Sequence, residues 1–274
     1  GSIGGPCRAV AAAGSTVYLG SGSTLAIWDA ANPASPVRVG AIRLPGLIES
    51  IAAGGTTVYV AAGASGVHVV DVSTPSAPVH AATFDTSGNA HRVALSGTTL
   101  YIADGLGGMR SLDVSSPAAP ALAGAFATAG SARSVLAAGA ALAVLDSDEG
   151  LQFITTNAAA ALTGEEPGIS AGLALAGVTG AVIASDANGG LFRVAATNPA
   201  VPSISVRAML PGAGRALAVS ASALYVAAGG AGLLSVNPAT LAVATTNAVG
   251  GEAEDLALSG STPYVAAGFG GCRI

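Results

Sequence analysis

All five tyrosines of this chain, Tyr18, Tyr59, Tyr101, Tyr225 and Tyr264, stand at one position of a recurring segment. Ala143 and Val182 fill the same slot in two degenerate copies, which gives successive spacings of 41, 42, 42, 39, 43 and 39 residues. A period near 40 residues is the mark of a repeat architecture in which each unit is one supersecondary element that cannot bury its own faces. Seven copies are predicted, at 7–46, 47–88, 89–130, 131–170, 171–212, 213–251 and 252–274 taken together with 1–6.

Within one copy, Ser50–Ala53 leads through Gly54-Gly55 into Thr57–Ala61. Gly63 to Gly66 then precedes Val67–Asp71, and a turn at Ser73 to Pro78 precedes Val79–Phe84. These are four short runs rich in β-branched residues, each closed by Gly, Pro, Ser or Asp, as in strands joined by tight turns. Alanine favours helix, but here it is interrupted every few residues and no 3.6-residue apolar period survives. The class is therefore all-β. Four-stranded units that must stack to cover both faces predict one domain over 1–274, a seven-bladed β-propeller of four-stranded antiparallel blades. Apolar runs that do not alternate with polar residues, such as Val69-Val70 and Ile27-Trp28, fit sheets covered on both sides.

Three copies end the third strand in Asp, with Pro four and seven residues later: Asp29/Pro33/Pro36, Asp71/Pro75/Pro78 and Asp113/Pro117/Pro120. Asp accepts turn amides and Pro presets φ, so these residues are read as turn chemistry and not as catalysis. The segment Gly66-Val67-His68-Val69-Val70-Asp71-Val72-Ser73-Thr74-Pro75 resembles the LVIVD repeat of bacterial and archaeal surface or secreted propellers. The resemblance is strongest in the first three copies and implies a propeller in an extracytoplasmic setting, with no catalytic motif to transfer. The copies near Ser131 and Ala171 lack the tyrosine and the turn aspartate.

The last copy stops at Cys272-Arg273-Ile274, at the start of its third strand, so Gly1 to Gly5 is expected to complete that blade. Cys7 and Cys272 then fall on one face of the ring. A Cys7–Cys272 disulfide across the seam is expected, which would argue for an oxidising compartment; two unrelated buried thiols are the alternative. A start at Gly1-Ser2 is compatible with a cleavage scar, and localisation has to be sought elsewhere.

All ten basic residues are arginine against fifteen acidic ones, a net charge of −5, so no basic stripe is available for a phosphate backbone and nucleic acid is excluded as a partner. No apolar run approaches the roughly 20 residues of a transmembrane helix. Ten residues before each tyrosine slot, at the expected channel mouth, lie Arg8, Glu49, His91, Arg133, Gly172, Arg215 and Glu254. Read round the ring these nearly alternate in sign, as in a polar belt of paired neighbours. Gly172 leaves a gap between Arg133 and Arg215 in which two guanidinium groups would suit a carboxylate or phosphate.

Asp146, Asp148 and Glu149, near Asp104 and Asp186, are candidate ligands for Ca²⁺, although without the extended spacing of a dedicated calcium loop. The three histidines, His68, His80 and His91, fall at unrelated repeat positions and are not expected to form a metal pair; His68 is expected to pack within its blade. No nucleophile elbow or phosphate loop is present. The leading expectation is a non-enzymatic extracytoplasmic binding or structural module that takes a protein or a surface glycan. The alternatives are a hydrolase or lyase with its site at the mouth, and a spacer or adhesin domain of a larger surface protein.

Overall fold

The computed structural model describes residues 2–3, 5–138, 141–156 and 160–274. Gly1 and Gly4, part of the segment expected to complete the last blade, lie outside them. The described strands form seven four-stranded sheets with antiparallel neighbours. Blade two shows the plan, with Ser50–Gly54 innermost, then Thr57–Ala61, Val67–Asp71 and Val79–Phe84 at the rim. The innermost strands of blades one and three to seven are Ala9–Ala13, Arg92–Ser96, Ala132–Ala138, Gly172–Val178, Ala216–Val219 and Asp255–Ser259. No helix of the described residues is long and apolar enough to cross a membrane.

The core lies between blades. Tyr59 of blade two packs with Val93, Leu100, Ile102 and Leu112 of blade three, and comparable clusters fill each of the other junctions. The tyrosine slot is therefore an interblade position, which explains why it recurs. In blade four, where Ala143 holds that slot, its cross-strand partner is Phe153, fully buried, whereas Tyr59 faces Val69. The bulk has moved from one strand to its neighbour.

The turns bear out their sequence reading. Asp29, Asp71 and Asp113 each accept a backbone N–H two residues on, at 2.8 Å, and Asn198 and Asn237 do the same in later copies. Gly66, Gly108 and Gly232 close the turn between second and third strands with φ of 74°, 75° and 83°. A Cβ at any of them would meet a rim-strand carbonyl oxygen at 2.3 Å, so the site demands glycine for both reasons. In six blades the third and fourth strands pair with a β-bulge at the same place, between Val69 and Val70 in blade two.

The seam closes as the repeat implies, but by backbone. Ser2–Ile3 pairs with Cys272–Arg273, and Cys7 and Gly268 exchange N–H···O bonds of 2.9 Å. The expected Cys7–Cys272 bond is corrected here, because both residues are free thiols. They sit in one apolar cluster with Ile3, Val17, Leu19 and Tyr264, each S–H directed at a backbone carbonyl, of Ala9 and Arg273 respectively.

Burial pushes the Cys272 thiol from 9.0 up to about 12, and burial together with Cys272 and Asp255 raises that of Cys7. Below pH 9 both thiols are neutral whether the chain is folded or not, and the pair leaves stability unaffected by pH. Above it the unfolded chain releases protons that the folded one retains, so stability falls as pH climbs from 9 toward 12. Thermal melts across this range should show a shallower alkaline decline in Cys272→Val, which places there the valine that blade two carries as Val67. An identical decline would contradict the assignment.

Candidate functional site: the channel mouth

The loops from second to third strands and those entering each next blade lie on one face, tied together by backbone bridges such as Gly63 with Ala90 and Gly105 with Ala132. This face carries the mouth residues. Arg215 of blade six is held by two carboxylates of blade seven, with Nη1 donating to Glu254 at 2.6 Å and Nη2 to Glu252 at 3.0 Å. The neighbouring-blade pairing expected of the belt is thus realised at this junction, with Glu252 a member that the ten-residue offset did not single out. Arg215 faces these two carboxylates, which supply the anionic charge that an incoming phosphate or carboxylate would have brought.

Glu49, His91 and Arg133 gather on the other side of the ring. Burial lowers the His91 pKa, the Arg133 charge lowers it further, and Glu49 and Asp104 oppose both. Among the described residues no ion pair joins Arg8, Glu49 or Arg133 to a neighbour, and all three are exposed.

The decisive contact lies one residue further along the innermost strands. Arg92 of blade three reaches across the channel, donating from Nη1 to Asp255 of blade seven at 3.4 Å and from Nη2 to the Arg215 carbonyl of blade six at 3.3 Å. The other oxygen of Asp255 accepts the Val10 amide of blade one at 2.9 Å. Burial pushes the Asp255 carboxyl up, and Arg92 with the Val10 and Leu256 amides pulls it back down. Ser50 occupies the same repeat position and takes the Val93 amide of its own neighbour. Arg92 and Asp255 are therefore variants of one interblade position that meet across the ring, and they form a strut through the channel.

The acidic group is built as turns. Asp146 is fully buried, accepting the amides of Asp148 and Glu149 on one oxygen and of Gly130 on the other, at 2.8 to 3.1 Å. Asp148 accepts the Ser147 hydroxyl, and Glu149 accepts the Gln152 side-chain amide. Asp104 and Asp186 hold the corresponding loops, Asp104 through the Gly88 amide and Arg110, Asp186 through the Asn188 and Gly190 amides. Three of the roughly four lone-pair sites of the Asp146 carboxylate are thus taken by backbone N–H donors.

The face also exposes large apolar groups. Phe269 and Leu106, each at the tip of a Gly-x-Gly-Gly loop in blades seven and three, are 99% and 85% exposed. Phe269 borders a groove of about 720 Å³ lined by Pro6, Arg8, Glu252 and Glu254.

The LVIVD repeat family matches residues 4–43, 45–86 and 87–128, which are blades one to three. The chain is a propeller whose first three blades are LVIVD repeats. No curated protein matches it by sequence. Among solved structures, this LVIVD propeller resembles the WD40 β-propeller domain of Doa1, with a TM-score of 0.82 over 100% of this chain and 93% of that one. It also resembles Saccharomyces cerevisiae Sqt1, with a TM-score of 0.73 over 99% and 97%, and the computationally designed Ika8 protein, with 0.67 over 99% and 96%. Identity is 11% in each case, so the likeness extends to the fold alone.

Proposed function

We propose that this LVIVD propeller is a non-enzymatic binding module working outside the cytoplasm, which engages a protein or surface glycan through the loop face around the channel mouth. The observation that carries this reading is the pair of solvent-exposed anchors, Phe269 and Leu106, on glycine loops of that face. A bare aromatic beside Pro6 and the charged groove rim has the make-up of a recognition surface, with an apolar centre and a polar edge. The Arg92–Asp255 strut supports the non-enzymatic part, since it occupies the axis that a deep site would use. The extracytoplasmic setting rests on the resemblance to surface and secreted LVIVD propellers.

Two measurements test the reading. The Phe269→Ala/Leu106→Ala double variant should melt within about 0.5 kcal/mol of the parent, because both side chains are already in water. The parent should retain envelope proteins or glycans, and the double variant should lose that retention. Chromogenic esters, phosphates and glycosides should show no turnover. Turnover abolished by His91→Ala or Glu49→Gln would overturn the proposal in favour of an enzyme at the mouth.

A further inference from the structure

The sequence places His68 and His80 at unrelated repeat positions; the structure brings them together. His68 lies on the third strand of blade two, opposite Thr83, and His80 lies opposite Val70. The β-bulge between Val69 and Val70 makes this possible. His80 and Thr83 are three apart, an odd separation that would put them on opposite faces of a regular strand, and the extra residue returns both to the face of His68.

The resulting group is compact. His68 Nδ1 lies 3.2 Å from His80 Nε2 and 3.0 Å from Thr83 Oγ1, and the last two are 3.0 Å apart. His68 is 1% exposed, and its Nε2 donates to the Pro45 carbonyl at 2.9 Å. A carbonyl can only accept, so the proton sits on Nε2 and the Nδ1 lone pair is turned toward His80 and Thr83. Burial lowers the His68 pKa, which keeps the ring neutral and that lone pair available. His80 and Thr83 are exposed, so the open side of the group faces solvent.

These are the elements of a transition-metal site. Bonds of about 2.0–2.1 Å to nitrogen put two ligands of a tetrahedral ion roughly 3.3 Å apart, close to the spacing found here. A ligating histidine normally donates its second N–H to a carbonyl or carboxylate, which fixes the tautomer, and Pro45 already does this for His68. We propose that His68 Nδ1 and His80 Nε2, with Thr83 Oγ1 beside them, bind a divalent transition ion of the zinc class on the rim of blade two, with water completing the sphere. Imidazole ligands suit this class, while the absence of a carboxylate from the trio disfavours calcium and magnesium.

The test is calorimetry of the metal-stripped full chain with Zn²⁺, followed by NMR of the histidine ring protons. The parent should take up one saturable equivalent that shifts the His68 and His80 resonances and leaves His91 unmoved. His80→Ala removes an exposed side chain and should keep its melting curve while weakening binding at least about tenfold, the scale on which even outer partners of a metal site act. Thr83→Val should have a smaller effect. Absence of saturable uptake, uptake unchanged in His80→Ala, or shifts confined to His91 would each overturn the proposal.

Discussion

Arg92→Ala is expected to destabilise the propeller by about 3 kcal/mol, the cost of leaving one partner of a buried ion pair alone. At roughly 2–3 °C per kcal/mol for a domain of this size, the melting midpoint should fall by about 8 °C. The reason is local. Asp255 is buried, and without Arg92 its carboxylate keeps only the Val10 amide and its own strand. Asp255→Ala should cost a similar amount, because it strands both the guanidinium and that amide. The combination Arg92→Leu with Asp255→Ser should recover most of the loss, since Ser50 shows that serine at this position serves the neighbouring amide. Urea or thermal unfolding of the parent, Arg92→Leu, Asp255→Ser and the double variant closes the cycle. Additive losses in the double variant would mean that the two side chains act independently.

Phe153→Ala is expected to cost about 3–5 kcal/mol, the range for a fully buried aromatic removed from a packed core. Phe153 is 0% exposed and packs with Leu145, Leu151, Ile169, Leu175 and Val182 between blades four and five. Its register partner is Ala143, the residue at the tyrosine slot. This gives the prediction a specific rescue: Ala143→Tyr with Phe153→Val reproduces the Tyr59 and Val69 pair of blade two and should regain much of the stability. Denaturant midpoints measure both variants. No rescue would show that the interblade gap around Phe153 has been reshaped beyond a simple exchange of bulk.

The blades were legible because the repeat is written in residues with strong local preferences: the tyrosine slot, the turn aspartates and the glycines that need positive φ. The exchange of bulk between Ala143 and Phe153 was not legible, because the two residues meet only through strand register. The same holds for the site. Arg215 and Glu254 were visible as neighbours at one offset from the tyrosine slot, while Arg92 was passed over because its partner lies across the ring and not in the adjacent blade. His68 and His80 were read as unrelated because they occupy different positions of the repeat, and no residue announces the bulge that brings them onto one face. The cysteines were correctly placed at one junction, but nearness within a cluster does not specify a bond, and the backbone pairs hold that junction with the thiols reduced.

The strut has a mechanical consequence. A closed ring of seven wedges, held only by contacts between neighbours, deforms most easily by flattening into an oval. Arg92 ties blade three to blades six and seven, so lengthening that chord breaks two hydrogen bonds. Two arcs of two blades each are left free to flex. Blades one and two, on one side, lie within the matched LVIVD repeats, whereas blades four and five, on the other, have neither the tyrosine nor the turn aspartate. The tie therefore spans the ring between an arc of matched repeats and an arc of divergent ones.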